Sequence, residues 1–152
     1  MALAGSAAPL RDVRDPAEVT RAFPRRAKLR IVNVWATWCV PCVAEMGDLR
    51  AIDEAFGPEV AIVGVTLDDM IPGDRAVTKT KVERFLAQRR ISFPNLYYVG
   101  NADALGDALR FDGEIPLTVI YGRDGRELWR HQGRLDRRAT EQTIRDLLRR
   151  NR

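Results

Sequence analysis

Cysteine and histidine are scarce in this chain, with two and one in 152 residues. Two cysteines cannot build a stapled disulfide framework, so apolar burial must hold the fold. With the single His131 far away in sequence, they also fall short of the about four ligands a structural zinc site takes. No run approaches the ~18 apolar residues a membrane-spanning helix needs. The opening Met1-Ala2-Leu3-Ala4-Gly5-Ser6-Ala7-Ala8-Pro9 lacks the basic and long apolar regions of a signal peptide. There is no internal repeat and no low-complexity stretch. Net charge is +4, but the basic residues are dispersed, without the compact stripe and interleaved aromatics of a nucleic-acid surface. The Arg-rich tail, Arg145 to Arg152, reads as a helix end, where cations suit the dipole.

What remains is an ordinary globular composition, 45% hydrophobic and 30% charged, long enough for one domain with its own core. Residues 1–14 are expected to be a loose arm, either what is left of a processed leader or an added segment, and residues 15–152 a single domain. Asp15-Pro16-Ala17-Glu18 has the makings of a helix start, with that helix running to about Phe23. Leu29 to Trp35 is an apolar run broken only by Arg30 and Asn33, as in a buried central strand. Val43, Met46, Leu49, Ile52 and Phe56 then recur at helical spacing until Gly57-Pro58 stops the helix. Val60 to Leu67 is a second buried strand, followed by a polar loop from Asp68 to Asp74. Ala76 to Arg90 predicts an amphipathic helix with Val77, Val82, Phe85 and Leu86 inward. Phe93 to Val99 predicts a strand, and Asn101 to Leu109 a short helix. Leu117 to Tyr121 and Glu127 to His131 pair across the Asp124-Gly125 turn, and a last helix runs from Leu135-Asp136 to about Leu148. The order implies an α/β fold: a mixed sheet with helices on both faces.

The two cysteines stand two residues apart in Trp38-Cys39-Val40-Pro41-Cys42, directly after the first strand and at the start of a helix. That spacing brings both sulfurs within bonding reach. A helix N-terminus favours a thiolate, because its unpaired N–H groups and dipole stabilise negative charge. Cys39 is therefore the expected nucleophile and Cys42 the second thiol. Pro41 suits a first-turn position, where no N–H is needed. Glu45 shares a helix face with Cys42; if buried, its proton affinity rises and it can exchange a proton with that thiol. The plainer alternative is an exposed helix glutamate. Trp35 is expected in the core and Trp38 as a partly exposed lid, although an aromatic beside a strand is more often simple packing.

The run Val32-Asn33-Val34-Trp35-Ala36-Thr37-Trp38-Cys39-Val40-Pro41-Cys42, with Glu45 after it, resembles the active-site segment of the thioredoxin-like family, in particular its TlpA/ResA branch of exported thiol–disulfide oxidoreductases. Ile115-Pro116, the Asp124-Gly125 turn and Gly133 match in the same order, and the likeness covers residues 28 to 150. The resemblance implies a thioredoxin fold. Its helix/strand insertion, around Ser92-Phe93-Pro94 and the preceding helix, comes between the second βα unit and a cis-proline strand. It implies that Pro116 is cis beside the cysteines, exposing the Ile115 backbone for partner pairing, and that Trp38, Val40, Pro41 and Ile115 form the substrate-binding rim. It implies no cofactor beyond the redox-active Cys39–Cys42 disulfide and no metal. It implies a disulfide-containing client protein of the cytochrome c maturation or oxidase copper-site assembly type. A membrane thiol donor would recycle a monomer located in, or anchored facing, the periplasm. The Val40-Pro41 pair resembles that of reducing members. Three features depart from the pattern: the N-terminal region reads as short and helical, Gly47 replaces the usual proline after Glu45-Met46, and Asn33 stands where thioredoxin itself carries a buried aspartate. The last makes Glu45 the expected acid/base.

Two other chemistries are possible for a pair of thiolates. They suit Cu(I), but related copper-delivery proteins add a well-placed histidine, and His131 reads as structural or exposed. A thiol peroxidase needs Pro-x-x-x-Thr-x-x-Cys, which is absent, because Thr37 stands too close to Cys39.

Overall fold

The computed structural model describes residues 10–151, and the apolar runs within them become strands of one sheet. In chain order the elements are β1 (Arg11–Val13), α1 (Ala17–Arg21), β2 (Leu29–Trp35), α2 (Val40–Phe56), β3 (Val60–Thr66) and α3 (Arg75–Gln88). They continue with β4 (Asn95–Tyr98), α4 (Ala102–Leu109), β5 (Leu117–Gly122), β6 (Glu127–Gln132) and α5 (Arg137–Arg150). The six strands lie in the order β1-β4-β3-β2-β5-β6. The central β2 pairs parallel with β3 and antiparallel with β5, and β6 completes a hairpin with β5.

Strand alternation divides the core into two layers. Leu29, Ile31 and Trp35 of β2 pack with Met46, Leu49 and Ile52 of α2, Leu86 of α3 and Ile144 of α5. Val32 and Val34 face the other way, against Val19 of α1 and Leu105 and Leu109 of α4. Each fully buried aliphatic or aromatic side chain is worth about 1.5–3 kcal/mol, so burial on both faces of the sheet holds the domain. The polar break in β2, Asn33, falls in phase with Ile31 and Trp35 and is fully buried on the α2 side. Gly64 on β3 is needed for a related reason: a Cβ there would lie 1.9 Å from Asn95 Oδ1, the atom that accepts from the indole N–H of Trp35 at 2.9 Å.

Some expectations are corrected. Within the expected loose arm, Arg11–Val13 form an edge strand paired parallel with Leu96–Tyr98, and Leu10 and Val13 are buried. The strand is three residues long and held by a distant partner, so nothing local announces it; residues 1–9 lie outside the described residues. Val77 is 54% exposed rather than inward, because the first turn of α3 stands clear of the core that Val82 and Leu86 reach. The segment read as a polar loop begins with a 3-10 turn, Asp68–Met70, and its Asp68 is buried. The helix and strand read as an insertion are α3 and β4, with β4 docked between β3 and β1.

Candidate active site

The site forms where β2 ends and α2 begins. Leu67 N–H donates to the Trp35 carbonyl at 2.9 Å, and Cys39 N–H to the Ala36 carbonyl at 3.2 Å. The loop between is held from the side by Asp68, whose carboxylate oxygens accept from Thr37 N–H at 3.1 and 3.2 Å and from the hydroxyls of Thr37 and Thr66. Sequence reasoning missed this anchor: Asp68 sits among other polar residues, and only the fold turns it inward.

Cys39 is the N-cap of α2, in extended backbone, and Pro41 lies in the first turn. The Cys39 sulfur accepts from Cys42 N–H at 3.4 Å. The two cysteines form a disulfide with their Cα atoms 5.2 Å apart. Cys39 keeps 7% of its surface exposed and Cys42 none, so an incoming partner reaches only the first sulfur. The Ile115–Pro116 peptide is cis, and the Ile115 carbonyl oxygen lies 3.7 Å from the Cys39 sulfur. While the disulfide stands that sulfur carries no proton, so this is a packing contact. The structure thus gathers Cys39, Cys42, Ile115 and Pro116 at one place. Trp38 and Val40 stand out around them, 50% and 80% exposed, and Pro41 is exposed beside them. Trp38 also forms one wall of a groove of about 490 Å³ with Met70, Ile71 and Asp103. Trp35, by contrast, is core: fully buried and 5.5 Å from the Phe85 ring, centroid to centroid.

Behind the disulfide, on the covered face of α2, Glu45 is fully buried. The exposed-glutamate alternative is therefore ruled out. Its Oε1 accepts from Asn33 Nδ2 and its Oε2 from Leu135 N–H, both at 2.9 Å. Burial raises its proton affinity above the ordinary carboxylate range. The two N–H donors and His131 pull the other way, and Asp48 adds to the rise. Asn33 Nδ2 also donates to Thr118 Oγ1 at 3.2 Å. Asn33, Thr118 and His131 are register partners across β2, β5 and β6, so a polar row crosses the sheet beneath Glu45. Thr118 and the Leu135 N–H were not foreseen; a lone threonine inside the apolar run from Leu117 to Tyr121 was the available signal. His131 Nε2 bonds the Arg134 carbonyl oxygen at 3.0 Å and its ring stacks on Trp129, a structural placement.

No family model matches the chain. The thiol:disulfide interchange protein HelX of Rhodobacter capsulatus is 30% identical over 153 aligned residues, covering 97% of this chain and 78% of that protein. The thioredoxin-like protein YneN of Bacillus subtilis is 24% identical, covering 78% of this chain and 65% of its own length. Among solved structures, a thioredoxin-related protein from Neisseria meningitidis serogroup B superposes with a TM-score of 0.61 at 27% identity, covering 80% of this chain and 85% of that one. A DsbF homologue from Corynebacterium diphtheriae gives a TM-score of 0.68 at 20% identity, covering 93% and 88%.

Proposed function

This chain belongs to the thioredoxin-like family, among its TlpA/ResA-like thiol–disulfide oxidoreductases, and from that premise we propose that it reduces protein disulfides outside the cytoplasm. The observation that carries the reading is the asymmetry of the pair: Cys39 at the helix N-cap with an N–H on its sulfur, Cys42 sealed behind it. In the reduced protein the Cys39 thiolate attacks one sulfur of a client disulfide, and the other client sulfur leaves as a thiolate. Cys42 then gives its proton to Glu45 and attacks the Cys39 sulfur, expelling the second client thiolate. Two electrons have passed to the client, and the Cys39–Cys42 disulfide has re-formed. The cis Ile115–Pro116 peptide offers the Ile115 backbone to an extended client segment, and Trp38, Val40 and Pro41 supply the apolar contact around it. The family likeness points to clients of the cytochrome c maturation or oxidase copper-site assembly kind and to a membrane-held thiol donor. Among the described residues no helix is long and apolar enough to cross a membrane.

Equilibration of the Cys39–Cys42 pair against glutathione or dithiothreitol tests the direction. A potential near that of thioredoxin, about −270 mV, is expected; one near about −120 mV would make the protein a disulfide donor. Stoichiometric Cu(I) binding lost in Cys39→Ser, with no reductase activity, would replace this reading with the Cu(I)-handling one.

A further inference from the structure

The hydrogen bonds beneath Glu45 leave one atom over. Asn33 is fully buried; its Nδ2 serves both Glu45 Oε1 and Thr118 Oγ1, while its Oδ1 has no partner among the described residues. Buried amide oxygens are almost always paired, and an exception calls for an explanation. Here the explanation lies in what each neighbour can do. An ionised carboxylate only accepts and an amide NH2 only donates, so with Glu45 charged it is Nδ2 that must face it. Once Glu45 takes a proton, one of its oxygens becomes a donor. Oε2 is already engaged by the Leu135 N–H, so the proton belongs on Oε1, where it would meet the N–H of Asn33. Half a turn of the side-chain amide puts Oδ1 there instead. Thr118 permits the turn, because its hydroxyl accepts from an N–H or donates to a carbonyl equally well. The outer amide atom then lies where Oδ1 now has no partner; the turn leaves the NH2 group without an acceptor there, a cost that the new bonds from the Glu45 carboxyl and the Thr118 hydroxyl to Oδ1 must offset.

We propose that Asn33 is a positioning residue for Glu45 and reverses its side-chain amide with each proton: Nδ2 faces the carboxylate, Oδ1 faces the carboxyl. This rests on the reading of Glu45 as the proton partner of Cys42. The Cys42 thiol gives its proton to Glu45, the carboxyl donates to Asn33 Oδ1, and the amide turns back when the proton leaves to water or to the released client thiolate. No electron passes through Asn33. The titratable groups that act on the carboxylate are Asp48 on α2, which favours the carboxyl form, and His131 on β6, which opposes it. The Leu135 N–H faces it from the segment before α5. Asn33 is the neutral member of this set that can serve both forms.

The test uses the wild-type disulfide protein, in which the cysteines do not titrate. Glu45 Cδ and the Asn33 side-chain amide are followed by NMR as pH changes. The Asn33 amide-proton contacts to Thr118 and Glu45 are expected above the Glu45 midpoint and lost below it; contacts unchanged through the midpoint overturn the proposal. A kinetic arm separates it from its premise. Glu45→Gln is expected to remove one ionisation from the pH–rate profile of disulfide reduction. Asn33→Asp puts a second acceptor-only group beside Glu45 and is expected to move that ionisation to higher pH. A profile unchanged in Glu45→Gln overturns the role of Glu45 itself. A profile that loses the ionisation in Glu45→Gln but stays in place in Asn33→Asp overturns only the role of Asn33. If Asn33→Asp does not fold, the wild-type NMR result decides.

Discussion

The four longer helices begin in two different ways. α3, α4 and α5 are capped by the side-chain oxygens of Asp74, Asn101 and Asp136, which accept from Val77, Ala104 and Ala139 N–H at 3.0, 3.0 and 2.8 Å. α2 is capped by sulfur, with Cys39 Sγ 3.4 Å from the Cys42 N–H. Sulfur is a weak acceptor in the neutral thiol or disulfide and a good one only as the thiolate, the form in which it attacks. Three helix starts thus serve stability, while in the proposed reaction the fourth reserves its N–H groups and dipole for the charge of the attacking sulfur. Asp68, accepting from the Thr37 N–H, instead braces the loop that leads into that cap.

The largest effect should come from the sulfur cap itself. Cys39→Ala should abolish reduction of a protein disulfide such as that of insulin, measured in steady state with a thiol donor; retained turnover would erase the contrast between the helix starts. Cys39→Asp sharpens it, since an oxygen cap should recover about 1 kcal/mol relative to the alanine variant and restore no activity at all.

Glu45→Gln comes next. It should slow the Cys42 step by about 10²-fold, the lower end of what general acid–base catalysis supplies, seen as a mixed disulfide that persists in a stopped assay. The same variant has a pH signature. The proton affinity of Glu45 is higher folded than unfolded. Its contribution to stability is therefore fully present below the unfolded carboxylate value and lost as pH rises through the higher folded one. The wild-type denaturant midpoint, measured relative to that of Glu45→Gln, should fall as pH rises across that window. Asp69, Asp112 and Glu127 are shifted downward by their partners and act in the opposite sense, while burial shifts Asp53 upward and it acts in the same sense as Glu45; all four are common to both proteins, so they cancel in the difference.

Asp68→Ala should cost about 2 kcal/mol, because buried donors lose their acceptor, and it should slow exchange by loosening the loop before Cys39. Asp136→Ala should be the mildest, about 1 kcal/mol of stability by thermal or urea unfolding with an unchanged exchange rate. A rate loss there as large as that of Asp68→Ala would show that the ordinary caps also tune the site.

Much of this was legible along the chain because the signals are local. The boundaries of β2 fall where the apolar run placed them, and Gly57 ends α2 at a φ of +61° that favours glycine. The cysteine spacing declared itself without any partner. Glu45 was half legible: its helical phase with Cys42 was plain, but its burial depended on the face of α2 that the sheet covers. β1 and Asp68 were not legible, the first because three residues acquire a strand only by pairing with β4, the second because a carboxylate turned inward looks the same in sequence as one turned out.

The order of residues alone determined the helix–strand sequence from α1 onward, the paired thiols at a helix start and the single candidate for their proton partner, since each rests on spacing within a few residues. The tertiary structure decided which of the two sulfurs is exposed, that the Ile115 carbonyl lies against it, and that Glu45 is buried together with Asn33, Thr118 and the Leu135 N–H. Those contacts join residues 12, 76, 85 and 90 positions apart, and only the closing of the sheet and the docking of α2 and α5 bring such positions together.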